Sequence, residues 1–485
     1  MKTCKLIIKD EVNVKLEGLE LAERKALMKM FEYDVPGARY LPAVRLGRWN
    51  GKVSYFSLGG STYVNLLPEI LPVLDRAGYD IELDDLREYS TTFEFAEVSE
   101  STFIHKNWPK GHPQEGKPVT LRDYQINIVN NFLKNPQSLQ EIATGAGKTL
   151  MTAALSYTVE KYGRSIVIVP NKSLVTQTEA DYINLGLDVG VYFGDRKEYG
   201  KTHTICTWQS LNNMLKNTKS GEAEVPIGEF IEGVVCIMVD EVHMAKADAL
   251  KTLLTGVFSE VPIRWGLTGT IPKAKFEAQS LYVSLGPVIS KLSASELQDQ
   301  GVLAQCHVKI IQLKDEVEFT NYQSELKHLL EDTHRLDAIS QKILEINETG
   351  NTLVLVDRVN AGKELISRLP DSVFVSGETK LTERKEEYDE IATSTNKIIV
   401  ATYGVAAVGI NIPRIFNLVL IEPGKSFVRV IQSIGRGIRK AEDKDFVQIW
   451  DITSTCKFAK RHLTQRKAFY NEANYPFDLE KLTYR

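Results

Sequence analysis

Apolar and polar positions divide this chain into two regimes. Over residues 1–95, CKLIIKD and VNVKLEG alternate with the two-residue period of half-buried strands. LAERKALMKMFEY (21–33) has helical spacing, and RWNGKVSYFSL sets Asn50–Gly51 between strand-like runs, a hairpin signal. LLPEILPVLDRAGY reads as a helix broken by its prolines. This stretch predicts a small α+β domain. The polar, proline-containing segment IHKNWPKGHPQEGKP (104–118) anchors a linker placed at 96–118. From about 119 the pattern changes. RSIVIVP (164–170), THTICTW (202–208) and VVCIMVD (234–240) are short continuous apolar runs ending in polar residues, separated by helical patterns. Strands buried on both faces of a parallel sheet have this look. A second series follows at HVKIIQL (307–313), TLVLVD (352–357), KIIVAT (397–402), LVLIEP (418–423) and VQIWDI (447–452). The fold class is therefore α/β: tandem parallel-sheet lobes over 119–285 and 286–455, behind the N-terminal domain. Residues 320–348 predict one long amphipathic helix, and 456–485 a basic tail. No internal repeat is visible by motif.

Composition narrows this little. The 485 residues suit about three domains of roughly 150 residues each. A formal net charge of −4 excludes a nonspecific polycation, so any nucleic-acid contact must come from local basic surface. The five cysteines form no CxxC pair, which excludes a zinc ribbon and a CxxC redox site. Cys206 and Cys236 lie in strand-like runs and read as core thiols of a reducing compartment. No stretch approaches the ~18 apolar residues of a membrane span, and MKTCKLIIKDE lacks a signal-peptide core. A cytoplasmic location with no membrane partner is expected, in the host cell if the chain is phage-encoded.

Three segments carry the chemistry. ATGAGKT (143–149) follows the strand-like SLQEI and runs into an apolar helix. Its backbone from Thr144 through Gly145, Ala146 and Gly147 is suited to cradle phosphates at a helix N-terminus. Lys148 is placed for the β- and γ-phosphates and Thr149 for Mg2+. The usual P-loop would carry glycine where Ile142 stands; here Ala143 opens the loop. DEVH (240–243) ends an apolar run, which puts Asp240 and Glu241 at a strand's carboxyl end, where ligands of α/β sheets gather. Asp240 can hold Mg2+, Glu241 can orient and deprotonate a water, and His243 can couple the site to a neighbouring loop. QSIGRGIR (432–439) sets Arg436 and Arg439 on one helical face, each a fork suited to phosphate. These segments lie almost 300 residues apart, so ATP is expected in a cleft between two domains, with the arginines as fingers.

At this point the chain resembles the superfamily 2 helicases of the DExH type, with the three segments as motifs I, II and VI. The others follow in order. LRDYQ (121–125) resembles the adenine-reading Q motif, with Gln125 as reader and Arg122 as a stacking group. VPNKSLVTQ, TWQS, LTGT, LVLVDR and ATYGVAAVGIN resemble motifs Ia, Ic, III, IV and V. The likeness implies two RecA-like lobes of P-loop NTPase type, the cofactors ATP and Mg2+, Gln432 in the catalytic set and Gly409 near the nucleotide. It implies backbone contacts to a nucleic-acid strand from Asn171, Lys172, Thr207, Gln209, Ser210, Arg358 and Thr402. Motif V has Asn411 where aspartate is common, which removes a charge there. VRLGRWNGKVSYFS and the wording of motifs V and VI are similar to the UvsW-type branch-migration helicases of T-even phages. That likeness implies DNA partners (single strands, forks and four-way junctions), action on R-loops and RNA–DNA hybrids, 3′ to 5′ polarity, and work beside recombination or replication proteins.

Outside the motifs, Arg45, Arg48 and Lys52 surround Trp49 and suit a duplex arm, although a core tryptophan with solvated neighbours has the same pattern. Lys457, Lys460, Arg461, Arg466 and Lys467 fall at helical spacing in the tail. A single chain holding both lobes is expected to work as a monomer. The competing readings are a DExH RNA helicase, an ATP-gated nucleic-acid clamp without processive unwinding, and a duplex translocase serving a nuclease.

Overall fold

Alternation in the first 85 residues closes into a four-stranded sheet. β1 (Lys2–Ile8) pairs antiparallel with β2 (Asn13–Glu17) and parallel with β6 (Tyr79–Asp85), and β5 (Ser61–Tyr63) completes the order β5-β2-β1-β6. The inward residues Cys4, Leu6, Ile8, Val14 and Leu16 are buried against Leu27 of α1 (Leu21–Met30) and Ile70 and Leu74 of α3 (Leu67–Arg76). α3 is continuous, not broken: Pro68 stands in its first turn, where no N–H is needed, and Pro72 forfeits a single bond inside it. The expected hairpin also differs. β4 (Lys52–Ser54) pairs with β3 (Glu32–Asp34), and residues before Asn50 form the one-turn helix α2 (Pro42–Arg45). Asn50 makes an Asx turn instead, its Oδ1 accepting from Lys52 N–H at 3.0 Å.

This computed structural model describes residues 2–88, 93–112, 114–242, 247–391, 393–407, 414–424 and 446–484. The chain forms two compact units. The first comprises Met1–Asn107, Pro118–Ile142 and Thr149–Lys291, and the second Trp108–Lys117, Ala143–Lys148 and Leu292–Arg485. In the first unit the N-terminal core is continuous with α10 (Lys275–Leu285), which contributes Phe276 and Val283. Tyr55 Oη donates to Phe276 O at 2.9 Å and lies 2.6 Å from Ser280 Oγ. The small sheet is thus seated on the lobe that follows it.

That lobe is an eight-stranded sheet of β7 (Gln137–Ile142), β8 (Arg164–Val169), β9 (Val189–Phe193), β10 (Arg196–Lys197), β11 (His203–Thr207), β12 (Val234–Val239), β13 (Ile263–Thr268) and β14 (Val288–Leu292). Its order is β10-β9-β11-β8-β12-β13-β7-β14, and the strands from β9 to β7 pair in parallel. Parallel strands require crossover helices. These are α4 (Asp123–Lys134), α5 (Lys148–Val159), α6 (Lys172–Asn184), α7 (Trp208–Ser220), α8 (Ile227–Phe230), α9 (Ala247–Thr255) and α10. Ile166, Ile168, Cys206, Ile237 and Val239 meet Leu211, Leu250 and Leu253 in its core. Burial pushes the Cys206 and Cys236 thiols up, as fits core thiols.

The second unit holds a seven-stranded sheet: β15 (Gln305–Leu313), β16 (Thr352–Val356), β17 (Ser372–Val375), β18 (Ile398–Thr402), β19 (Asn417–Ile421), β20 (Phe446–Ser454) and β21 (Phe477–Leu482). Every pairing in the order β17-β18-β16-β19-β20-β15-β21 is parallel. Its helices are α11 (Ala294–Asp299), α12 (Tyr322–Glu331), α13 (Thr333–Asn347), α14 (Val359–Ile366), α15 (Leu381–Ile391), α16 (Tyr403–Ala407) and α17 (Lys457–Glu472). The predicted single helix over 320–348 is two, because Asp332 leaves helical geometry and caps α13, its carboxylate accepting from Arg335 N–H at 2.9 Å. The predicted tail is α17 followed by β21, which pairs with β15 along six residues. Among the described residues no helix is long and apolar enough to cross a membrane.

One residue of β13 ties the first lobe together. Arg264 is fully buried, and its guanidinium donates to carbonyls alone: Ser284 at 3.0 Å, Phe258 at 2.6 Å, Val261 at 3.4 Å, and Leu254. Leu254 and Ser284 end α9 and α10, so two helix C-termini aim their negative ends at this cation. Burial pushes its pKa down to about 10, with Asp10 and Glu11 pulling it back. Arg264→Met removes the side-chain donor that these carbonyls share. It is expected to cost roughly 3 kcal/mol in urea unfolding; a loss under about 1 kcal/mol contradicts the keystone role.

Candidate functional site

β7 ends at Ile142, whose side chain is buried where the usual loop carries glycine. The loop then turns through Gly145 (φ +94°) and Gly147 (φ +80°), both left-handed, before α5 starts at Lys148. Thr144 before them and Ala146 between them are buried, and Ala146 N–H reaches Ala143 O at 3.4 Å. A loop whose glycines turn the backbone at the mouth of a helix is a phosphate cradle in form.

Asp240 follows β12 and still pairs with the sheet, its N–H donating to Ile168 O at 2.9 Å. Its Oδ1 accepts from Glu241 N–H at 2.9 Å. Glu241 is 5% exposed and sits at φ +50°, a left-handed conformation that costs a side-chain-bearing residue about 1 kcal/mol or more. Strain at a buried carboxylate on a strand's carboxyl end marks a working position. Beside β12, the end of β13 closes a small turn: Thr268 Oγ1 donates to Thr270 O at 2.8 Å and accepts from Thr270 N–H at 3.2 Å. Ile271 N–H reaches Glu141 Oε1 of β7 at 3.5 Å, which joins this turn to the strand that carries the glycine loop.

At the start of α4, Gln125 is buried and its Oε1 accepts from Arg122 N–H at 2.8 Å, while Arg122 is exposed with its Nη1 3.4 Å from Tyr124 Oη. The Gln125 carbonyl thus caps the helix. Capping likewise accounts for several residues expected on a nucleic-acid strand. Asn171 Oδ1 accepts from Leu174 N–H at 3.0 Å, and Thr207 Oγ1 accepts from Ser210 N–H at 3.2 Å and lies 2.9 Å from Ser210 Oγ. Lys172 and Gln209, beside these caps, are exposed. In the second unit, half-buried Arg358 and Thr402 stand at the ends of β16 and β18, Arg358 Nη2 bonding Gln323 at 3.1 Å. His243, Gly409, Asn411, Gln432, Arg436 and Arg439 lie outside the described residues.

The N-terminal set divides. Arg45 and Arg48 are exposed, but Lys52 is 3.7 Å from Glu32 and 3.9 Å from Asp34, and Trp49 is half-buried with its indole N–H donating to Lys52 O at 2.8 Å. Trp49 is a brace. In α17, Lys457, Lys460 and Arg461 are exposed, whereas Arg466 turns inward onto Asp451.

Arg466 belongs to a buried network that sequence reasoning missed. It grips Asp451 with two bonds of 2.8 and 2.9 Å and donates to Gly424 O at 3.0 Å; Tyr470 Oη donates to Asp451 at 2.7 Å. Nearby, Arg335 donates to Asp315 at 3.2 Å and Glu422 at 2.6 Å. Burial opposes the Arg335 charge, yet Glu422 and Asp315 hold its pKa above the ordinary value. Glu422 (φ +42°) and Gly424 (φ +70°) form the exit of β19, so two buried cations hold a left-handed turn that leads into 425–445. One signal was present: Arg335 shares the apolar face of Ile339 and Ile343 at helical spacing. A cation on such a face implies a buried pair.

Comparisons with known proteins agree with this geometry. Residues 118–273 match the type III restriction enzyme res subunit family, and residues 334–441 match the helicase conserved C-terminal domain. Both matches are consistent with a superfamily 2 helicase. The chain is an ATP-hydrolysing enzyme with two RecA-like lobes. It is 25% identical over 475 residues to the ATP-dependent DNA helicase uvsW of Enterobacteria phage T4, covering 93% of this chain and 90% of that one. It is 27% identical over 341 residues to a putative DNA 3′-5′ helicase Rad25 of Haloarcula marismortui, covering 68% of this chain and 52% of that one. Its fold is shared with a putative HsdR subunit fragment of a type I restriction enzyme from Vibrio vulnificus at a TM-score of 0.56 and 18% identity, over 97% of this chain and 85% of that one.

Strain at Glu241 makes a stability prediction. Glu241→Gly removes both the left-handed penalty and a buried carboxylate, and is expected to raise the calorimetric unfolding midpoint, by about 1 kcal/mol of stability. An unchanged or lower midpoint contradicts the strain.

Proposed function

We propose that this helicase acts on branched DNA, including Holliday junctions, forks and R-loops, in recombination, replication and repair, and that it moves 3′ to 5′. The observation that carries the ATP-driven part of the reading is the order β12-β13-β7 of neighbouring parallel strands: the strained Glu241 follows β12, the threonine turn follows β13, and β7 ends at Ile142, where the glycine loop begins. Relatives named as a DNA helicase and a putative DNA 3′-5′ helicase support the choice of DNA and the polarity.

In this reading Lys148 contacts the β- and γ-phosphates of ATP, and Gln125 and Arg122 take the adenine. Thr149 and Asp240 offer a hydroxyl and a carboxylate, hard oxygen donors that suit Mg2+. Among the described residues no cluster of three or more His, Cys, Asp or Glu could hold a metal alone, which fits an ion that arrives with the nucleotide. When bound, Mg2+ supplies charge neutralisation at the phosphates. Glu241 orients the attacking water and takes its proton. His243 and Gln432 complete the set, and Arg436 and Arg439 stabilise charge on the transferring phosphoryl group. Lys172, Gln209, Arg358 and Thr402 contact the strand's backbone, which carries no sequence information, as movement along DNA requires.

ATP turnover measured with single-stranded DNA, linear duplex, a four-way junction and RNA tests this. Branched or single-stranded DNA is expected to stimulate most, and stimulation by RNA alone contradicts the DNA reading. Lys148→Ala is expected to abolish turnover while junction binding persists. Arg439→Ala is expected to keep nucleotide affinity and to slow turnover roughly 10³-fold or more; a collapse of affinity with turnover intact at saturation contradicts the finger role.

A further inference from the structure

Between β3 and β4 the chain leaves the N-terminal sheet for an excursion over 35–51. Val35 N–H donates to Gly51 O at 2.9 Å and closes its neck. Inside, Arg48 and Trp49 N–H both donate to Ala43 O, at 2.8 and 3.1 Å, and left-handed Gly37 and Gly47 make the turns. With the Trp49 brace, this builds a compact tip. Ala38 is its only fully buried apolar residue, so the tip adds little to the core of the unit.

The tip presents apolar groups and cations together. Tyr40 is 59% exposed, Leu41 47% and Leu46 64%, within seven residues. Solvent-facing apolar groups this dense mark a contact surface. They are interleaved with exposed Arg39, Arg45 and Arg48. Arg39 lies over the Tyr40 ring, 4.7 Å from its centroid, and donates to Tyr40 Oη at 2.6 Å, which holds the ring outward. Among the described residues none of the three arginines is ion-paired, while Glu32 and Asp34 at the base of the ribbon are met by Lys52. The tip is therefore both apolar and positively charged.

A linear duplex offers phosphates to such a surface but hides its base-pair faces by stacking. A branch point offers both: phosphates converge and the terminal base pairs of the arms can be unstacked. We infer that this tip is a branch-point wedge, with Tyr40, Leu41 and Leu46 pressed against an exposed base-pair face and Arg39, Arg45 and Arg48 on the flanking phosphates. The inference rests on the proposed action on branched DNA. It adds that discrimination of branched from linear DNA resides in the apolar side chains, not in the arginines.

The test uses the full-length protein and measures affinity for a four-way junction and a linear duplex of equal length across salt concentrations. For the double variant Tyr40→Ala, Leu46→Ala, junction affinity is expected to fall roughly tenfold, duplex affinity to change less than about twofold, and the salt slope to stay unchanged. Arg45→Ala with Arg48→Ala is expected to weaken both substrates alike and to reduce the slope by about 0.9 per arginine. An unchanged junction preference in the apolar variant overturns the wedge and turns the patch into a surface for another kind of partner. An equal loss on both substrates overturns it too. Single-strand stimulation of ATP turnover serves as the control. The side chains are exposed, so stimulation is expected to survive in the apolar variant. Its absence from the unsubstituted protein as well would instead defeat the DNA reading.

Discussion

A parallel sheet sends every carboxyl end to one edge, and that constraint organises this protein. In the first unit Asp240 and Glu241, the Thr268–Thr270 turn, Asn171 and Thr207 all stand at carboxyl ends of strands of one sheet. In the second unit Arg358, Thr402 and the Glu422–Gly424 turn do the same. Residues far apart in sequence, such as Asn171 and Glu241, thereby share an edge without any direct bond having to draw them together. Helix N-termini begin at the same edge, so backbone N–H donors suited to anions stand where the carboxylates also stand.

Such an edge is only as well placed as its strands, and the two units fix theirs by different electrostatics. Arg264 in β13 is held by carbonyls at the ends of two helices, with no carboxylate in contact. Arg335 and Arg466 are held by Asp315, Glu422 and Asp451. Both solutions place a full charge in the core, which is costly unless its donors are satisfied. In return each cation joins segments distant in sequence: α9, α10 and β13 in one case, and α13, α17 and the exit of β19 in the other. Geometry that must repeat through many catalytic cycles is well served by ties that fail if any partner moves.

Much of this was legible in the sequence. Continuous apolar runs identified eight sheet strands because strands buried on both faces tolerate little else. The positions of the glycine loop and of the adjacent acids were legible for a related reason: only certain residues at fixed spacing can form such a loop or end a buried strand in a pair of acids. What escaped has physical causes. β13 was obscured by Arg264, a charge in an apolar run that only tertiary carbonyls explain. β21 is a half-exposed edge strand whose pattern alternates weakly. Asp332 split a helix by capping it, a local event inside a long amphipathic period. Tyr40, Leu41 and Leu46 gave no signal, because a leucine in sequence looks the same whether buried or exposed.

The central claim is that the carboxyl edge of the first sheet is the seat of ATP. A crystal structure of the protein with Mg2+ and a non-hydrolysable ATP analogue tests it most directly. The account predicts the triphosphate within the 143–149 loop, the metal beside Thr149 and Asp240, and Glu241 facing the terminal phosphate. A nucleotide bound away from that loop, or a metal held without Asp240, would contradict it.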